Sequence, residues 1–157
     1  QGVKRKDLDN LHVAWRVKFE PGTVKVIARE SGKVVAEKEI CTAGKPAEIR
    51  LTPDRSILTA DGKDLCFVTV EVLDEKGNLC PDADNLVNFT VQGNGFIAGV
   101  DNGNPVSMER FKDEKRKVFY GKCLVVIQND GKPGKAKLTA TSEGLRQAVL
   151  KISAEEL

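Results

Sequence analysis

Residues Leu86–Pro105, with the sequence LVNFTVQGNGFIAGVDNGNP, decide the fold class of this chain. Apolar and polar side chains alternate in the first half, which is the period-2 pattern of a strand with one buried face. Gly93-Asn94-Gly95 predicts a turn, Phe96–Val100 is a second apolar run, and Asp101–Pro105 is another turn signal. The stretch therefore predicts a β-hairpin with tight turns.

Three glycines follow the first of these two runs, as they do in a dinucleotide-binding motif; they are Gly93, Gly95 and Gly99. That motif requires the glycines to open a helix, because the amides at the helix N-terminus hold the pyrophosphate. Here the chain continues into an apolar run and breaks again at Asp101, so there is no room for a helix. Turn chemistry is therefore the preferred interpretation over a nucleotide site.

Strand-like runs separated by turn signals recur along the whole chain, with a spacing of about 8 to 12 residues and almost no helical periodicity. This pattern predicts an all-β fold with an immunoglobulin-like β-sandwich, preceded by a second, smaller and incomplete β-sandwich unit. The Gly- and Pro-containing stretch Thr42–Ala47 is typical of a linker. We therefore expect a partial sandwich over residues 1–47 and the C-terminal immunoglobulin-like domain over 48–157.

The first unit contains a clean amphipathic pattern over Leu11–Phe19, LHVAWRVKF. Trp15 lies on its apolar face, where we expect it to anchor a small core. Together with strands expected at Thr23–Arg29 and Val34–Cys41, the pattern predicts a three-stranded meander. Three strands with one apolar face are near the lower limit of independent stability, so further strands from upstream or from a neighbour are expected to complete the unit.

The charges of Lys112–Lys117 alternate in sign, which favours a solvated loop or a short helix. The near-continuous apolar run Cys123–Gln128 is typical of a central strand. The loop residues Asp101, Asn102 and Asn104 and the aromatic Tyr120 are the candidate interaction residues. Turn chemistry explains the loop's oxygen-bearing side chains more simply than a calcium site does.

Composition argues against several classes of partner. The 157 residues carry a net charge of +2, which creates no strong field for nucleic acid or for an anionic membrane. Aromatic residues make up 5% of the chain, which is few for stacking on bases or on sugar rings. No run approaches the ~20 apolar residues of a membrane span. Because the chain starts at Gln1 without a signal peptide, we expect a fragment of a larger protein, with any localisation signal upstream.

The sequence contains no recognisable cofactor, metal or catalytic site. None of the 4 cysteines forms a C-x-x-C pair, and His12 is the single histidine, so a zinc site is not expected. Buried free thiols are the default interpretation. A disulfide between Cys66 and Cys123 is the alternative, since an immunoglobulin-like fold can link its second and sixth strands in this way. The 23 Asp and Glu residues lie mainly in turns or on polar faces, and no pair is marked out for general acid and base catalysis.

Several stretches resemble a known family. Trp15–Val17, Phe19–Thr23 and Thr42–Ala47 resemble the domain that follows the catalytic barrel in bacterial glycoside hydrolase family 2 enzymes. The stretches IRLTPDRSILTADGKDLCFVTVEVLDEKGN, NFTVQGNGFIAGVDNGNP and ERFKDEKRKVFYGKCLVVIQ resemble the C-terminal immunoglobulin-like domain of β-galactosidase-type members. The resemblance covers nearly the whole chain.

The resemblance implies that the chain is the non-catalytic C-terminal part of a secreted or periplasmic β-galactosidase of a Gram-negative bacterium. The family's catalytic glutamates lie upstream on a TIM barrel, and no position here matches them. The upstream catalytic domain is the expected partner, and a carbohydrate or a second copy of the parent enzyme are further candidates. Two other functions stay open: a carbohydrate-binding module that uses Tyr120 and Phe111, and a stand-alone adhesion-type spacer.

Overall fold

The computed structural model describes residues 12–156, and the chain divides into two compact units after Thr42. The predicted domain ranges, 1–47 and 48–157, stay predictions. The first unit is built on an antiparallel hairpin of β1 (Thr23–Glu30) and β2 (Lys33–Cys41). Ser31 and Gly32 at its turn both have positive φ, 48° and 82°. Such a turn matches the right-handed twist of the two strands that it joins.

The predicted strand over Leu11–Phe19 does not form. Residues 12–20 have no regular secondary structure, and Leu11 lies outside the described residues. Trp15 is 39% exposed, so it is not a core anchor. An amphipathic pattern produces a strand only where neighbouring strands pair with it and cover its apolar face. The predicted three-stranded meander is therefore wrong, since this part of the structure contains the two strands of the hairpin.

The hairpin has one apolar and one charged face. Val24 and Val26 point to the same side of β1, and Val24 lies opposite Ile40 of β2. On the other side, the ammonium group of Lys25 lies 3.1 Å from the carboxylate of Glu37. All residues of β1 are exposed, including those on the apolar face.

The second unit contains nine strands in the described residues, arranged in two sheets. One sheet has the order β3-β5-β9-β7 and the other β4-β11-β10-β6-β8. The strands are β3 (Pro46–Pro53), β4 (Ile57–Thr59), β5 (Leu65–Asp74), β6 (Leu86–Gly93), β7 (Phe96–Asp101), β8 (Lys115–Lys117), β9 (Lys122–Gln128), β10 (Gly134–Thr141) and β11 (Ala148–Glu155).

The order of these strands is that of an immunoglobulin-like sandwich. The sheet β3-β5-β9-β7 corresponds to strands A, B, E and D, and β6, β10 and β11 correspond to C, F and G. Side chains that alternate along β5 and β9 are fully buried and meet Phe89 and Leu138 of the facing sheet in one core. The all-β prediction is confirmed. No helix in residues 12–156 is long and apolar enough to cross a bilayer.

The predicted hairpin over Leu86–Pro105 is wrong, although both strands exist. β6 pairs with β10, whereas β7 pairs with β9, so the two strands lie in different sheets. Gly93-Asn94-Gly95 carries the chain from one sheet to the other. Gly93 has a φ of +96°, and a Cβ atom there would collide with the carbonyl oxygen of Lys135. A Cβ atom on Gly95 would approach the carbonyl oxygen of Gln128 to 3.0 Å. Both glycines are therefore required by the close passage of the backbone.

The default interpretation of buried free thiols is confirmed for Cys66 and Cys123, and the alternative of a disulfide between them is wrong. They lie on neighbouring strands of one sheet, where Cys66 is opposite Ile127 and Cys123 is opposite Val70. An offset of four residues along a strand separates Cα atoms by about 13 Å, well beyond the reach of a disulfide. Burial raises the pKa of the Cys66 thiol to about 11 and that of Cys123 to about 12.

Replacing Gly93 with alanine tests the crossing between the sheets. Gly93→Ala should lower the free energy of unfolding by about 3 kcal/mol or more, because left-handed strain adds to a collision with the Lys135 backbone. Gly77→Ala is the matched control: Gly77 has a φ of +80°, but its Cβ atom would meet nothing within 4 Å. Gly77→Ala should lower the free energy of unfolding by about 1–2 kcal/mol. Equal losses for the two variants in urea denaturation would show that the backbone does not pass close to Gly93.

Candidate functional site

Two of the four predicted interaction residues, Asp101 and Asn102, contact one buried side chain, and a third, Asn104, lies beside them in the chain. Asp101 ends β7, and Asn102 and Asn104 begin the segment 102–114 that connects β7 to β8. We call this segment the β7–β8 loop. At its centre lies Arg116, the middle residue of β8, which is 1% exposed. Burying a guanidinium is costly unless carboxylates and hydrogen-bond acceptors surround it, so the partners of Arg116 show how the loop is held.

The guanidinium of Arg116 is held from several directions. Its Nη2 atom donates to Asn102 Oδ1 at 3.1 Å and to Asp101 Oδ1 at 3.3 Å. Its Nη1 atom donates to the carbonyl oxygen of Glu109 at 3.1 Å. The carboxylate of Glu109 lies 3.7 Å from Nε, too far for a hydrogen bond, so that two carboxylates face the one cation and Nε has no hydrogen-bond partner in the described residues. These contacts tie the start and the middle of the loop to one side chain.

Asn102 and Asn104 extend this network along the backbone of the loop. The amide Nδ2 of Asn102 donates to the carbonyl oxygen of Lys117 at 2.9 Å, and its Oδ1 atom accepts from the amide of Asn104 at 3.0 Å. The Oδ1 atom of Asn104 in turn accepts from the amide of Val106 at 3.1 Å. Asparagine side chains that bond to the backbone two residues later stabilise turns. The two side chains therefore give the start of the loop a fixed shape.

Glu109 and Phe111 fix the second half of the loop. Glu109 Oε1 accepts from the amide of Lys117 at 3.0 Å, and Oε2 accepts from the hydroxyl of Ser107 at 3.1 Å. The ring of Phe111 covers the guanidinium of Arg116, with 5.3 Å between Cζ and the ring centroid. A cation over an aromatic face is attracted by the ring's quadrupole. The result is an ordered loop rather than a flexible connector.

Tyr120, the fourth predicted residue, lies on a separate turn between β8 and β9. Its φ is 50°, which is uncommon for a residue other than glycine. Its ring packs against Phe119, with centroids 4.4 Å apart and an interplanar angle of 55°, and most of the side chain remains exposed. The neighbouring Gly121 has no room for a Cβ atom beside the carbonyl oxygen of Cys80. Turn geometry therefore explains the position of Tyr120.

Sequence reasoning missed Arg116 and Glu109. The prediction of a solvated loop or short helix over Lys112–Lys117 is wrong at its end, because β8 forms there and pairs Arg116 with Val87 of β6. One signal was available: Arg116 is two residues before the buried Val118, so in a strand the two side chains share a face. The alternating charges around Arg116 concealed this pattern.

The ionisable groups of the second unit are arranged for stability. Burial raises the pKa of Glu71, but ion pairs with Lys122 and Arg50 outweigh it, so that the pKa is lowered overall. The pKa of Asp74 is lowered by hydrogen bonds, first from the amide of Gly44 at 2.7 Å. Residues 12–156 hold no group of three or more His, Cys, Asp or Glu side chains that could bind a metal ion.

The match to a family model identifies what kind of domain this is. The model described as glycoside hydrolase family 2 C-terminal domain 5 matches residues 49–151, which is most of the second unit. The chain belongs to this family. A further model, described as a domain of unknown function, matches residues 1–36. The resemblance of the sequence to glycoside hydrolase family 2 is thereby confirmed.

Relatives of this family 2 C-terminal domain are much longer proteins. A β-galactosidase of Bacteroides ovatus is 99% identical over 157 residues, which are 100% of this chain and 18% of the relative. A β-glucuronidase of Formosa agariphila is 36% identical over 96 residues, covering 52% of this chain and 10% of the relative.

A solved structure agrees with these relatives. A glycosyl hydrolase family 2 member from Bacteroides cellulosilyticus superimposes with a TM-score of 0.84 at 34% identity, covering 90% of this chain and 18% of that protein. The chain therefore spans 18% or less of the length of these three proteins, and it corresponds to the non-catalytic C-terminal part of a family 2 enzyme.

Removal of the buried cation tests the network. Arg116→Met should lower the free energy of unfolding by about 2–4 kcal/mol, because Asp101 and Glu109 lose their counter-charge while Asn102 loses its donor. Arg146→Met is the matched control, since Arg146 is exposed and pairs with Glu48 at 2.6 Å. This control variant should lower the free energy of unfolding by less than about 1 kcal/mol. The account of the network fails if urea denaturation gives the two variants the same stability.

Proposed function

We propose that this chain serves as the accessory module of a family 2 enzyme that hydrolyses terminal β-galactosides or related glycosides. The observation that carries the proposal is the 99% identity to a β-galactosidase over the full length of the chain. The match to a β-glucuronidase supports the view that the module accompanies family members with different sugar specificity. Specificity and chemistry are then assigned to the part of the polypeptide outside this chain.

The charge arrangement supports a module without hydrolytic activity of its own. Hydrolysis of a glycoside requires two carboxyl groups that face each other across a cleft, one of them protonated when the substrate binds. In the second unit, Glu71 is paired with Arg50 and Lys122, and Glu109 is engaged by Arg116 and the Lys117 amide. The ion pairs lower the pKa of Glu71, which is therefore held in the ionised form and is not available as a general acid.

A catalytic domain earlier in the same polypeptide is the partner that we propose. The same polypeptide is also the proposed cover for the apolar face of the β1–β2 hairpin, which includes Val24, Val26 and Ile40. Support comes from the length of the B. ovatus relative, of which this chain covers 18%. Exposed apolar strand faces favour pairing with further chain, and a second copy of the parent enzyme is the alternative cover.

A periplasmic or secreted location is part of the proposal and derives from the family resemblance. An oxidising compartment favours proteins whose thiols are either paired or protected. The thiols of Cys66, Cys80 and Cys123 are buried, and burial raises the pKa of each. Buried thiols with a raised pKa react slowly with oxidants, because the reactive species is the thiolate.

A carbohydrate-binding module is the less favoured function. Both proposed sugar-stacking rings, Tyr120 and Phe111, are largely exposed, but the ring of Phe111 is engaged by the guanidinium of Arg116. A groove of about 520 Å³ beside β7 is lined by Phe96 together with Gln128 and the charged residues 112–114. Phe96 is the one aromatic side chain in this lining among the described residues. Calorimetry with galacto-oligosaccharides, using the chain and its Tyr120→Ala variant, separates this function from the accessory role.

Activity measurements test the proposed function. The purified 157-residue chain should not hydrolyse a nitrophenyl β-galactoside, whereas the full-length polypeptide that contains it should, because the catalytic carboxyl groups lie outside this chain. Turnover by the 157-residue chain itself would contradict the accessory role. An inactive but folded full-length polypeptide would contradict the assignment of the substrate class and call for a panel of other nitrophenyl glycosides.

A further inference from the structure

The β7–β8 loop exposes an unusual amount of apolar surface. Val106 is 80% exposed, Met108 96% and Phe111 65%, and these three side chains lie within six consecutive residues. Single apolar side chains are common on protein surfaces, but several on one loop are typical of a surface that binds another protein. Exposed charged residues, Arg110 and Lys112, lie between or beside them as they do in the rim of an interface.

The loop is ordered, which separates it from a connector that merely tolerates apolar residues. Arg116 fixes its start and its middle, and the amide of Ser107 donates to the carbonyl oxygen of Asn104 at 3.1 Å. An interface loop that is already held in one conformation loses less entropy when its partner binds. A loop that only connected two strands would not require a buried arginine, two carboxylates and two asparagine side chains to hold it.

The position of the β7–β8 loop in the sandwich indicates which binding partner lies near it. In the register of the sheet β3-β5-β9-β7, the end of β7 lies at the same end of the sandwich as the start of β3. The second unit begins at that end, where the chain enters it from the first unit, residues 1–42. A catalytic domain that precedes the first unit is tethered to this end of the sandwich through that unit, which raises its effective concentration there. This chain covers 18% of the length of the B. ovatus relative, so most of that polypeptide lies outside this chain.

We propose that the β7–β8 loop is the docking surface for the catalytic domain that precedes it in the same polypeptide, with Val106, Met108 and Phe111 as apolar anchors. The matching surface is apolar, with acidic groups placed to meet Arg110 and Lys112. This inference rests on the proposed function, since it takes the preceding domain to be the catalytic one. Arg116 acts as a positioning residue, because it holds the loop and does not itself reach the surface.

Met108 provides a direct probe, because it is the single methionine of this chain. Hydrogen peroxide transfers one oxygen atom to the thioether sulfur, which forms a sulfoxide and releases water. In the isolated 157-residue chain Met108 should oxidise at the rate of a free methionine. In the full-length polypeptide it should oxidise about ten-fold more slowly, since burial in the interface excludes the oxidant. Mass spectrometry of the peptide that contains Met108 measures both rates.

Two variants of the full-length polypeptide sharpen the test. Val106→Asp should raise the oxidation rate of Met108 towards that of the isolated chain, because a charge in an apolar interface disfavours docking. Val149→Asp is the matched control: Val149 is an exposed valine on β11, in the other sheet, and its replacement should leave the rate unchanged.

Several outcomes would overturn the proposal. Equal oxidation rates in the isolated chain and the full-length polypeptide would show that the loop stays free. Protection of the isolated chain that increases with its concentration would assign the surface to a second copy, and protection by galacto-oligosaccharides would assign it to a carbohydrate. A protected Met108 in a full-length polypeptide that hydrolyses no glycoside would leave the docking surface intact and overturn the proposed function instead.

Discussion

The burial of one positive charge, that of Arg116, determines the shape of the β7–β8 loop. Arg116 lies inside the sandwich on a short edge strand, where an unpaired guanidinium would cost several kcal/mol. The chain meets this constraint by wrapping the β7–β8 loop around it, with Asp101 and Glu109 as counter-charges and Asn102 as acceptor. The same contacts leave Val106 and Met108 facing solvent in a fixed arrangement. Stability and surface shape are thus consequences of one interaction.

The crossing between the two sheets places this loop where a partner can reach it. Because Gly93 and Gly95 allow the backbone to pass close to Lys135 and Gln128, β7 joins the sheet of β5 and β9 rather than pairing with β6. The end of β7 then lies beside the start of β9, at the end of the sandwich where the second unit begins. A simple hairpin would have left this loop at the edge of the other sheet. Gly93 and Gly95 therefore determine at which end of the sandwich the β7–β8 loop lies.

Much of the fold follows from the sequence, because strand periodicity and turn residues are local signals. The predicted runs Thr23–Arg29, Val34–Cys41 and Cys123–Gln128 each agree with a strand of the structure to within one residue, and the all-β class follows from such runs. Pairing is not local, which explains why β6 and β7 were taken for a hairpin and why Cys123 was placed on the wrong strand. The loop residues Asp101, Asn102 and Asn104 were found from turn chemistry. Arg116, the partner of Asp101 and Asn102, was missed because a buried charge is recognisable only from its three-dimensional neighbours.

Hydrogen exchange of the loop amides tests most directly whether this surface is preformed. The amides of Gly103, Asn104 and Val106 each donate to a side-chain oxygen, at 3.2, 3.0 and 3.1 Å respectively. In the isolated chain, a loop held in this way should exchange these protons about ten-fold or more slowly than an unstructured peptide of the same sequence. Exchange at the unstructured rate would mean that the loop samples many conformations, and would contradict the claim that Arg116 and its partners hold it in place.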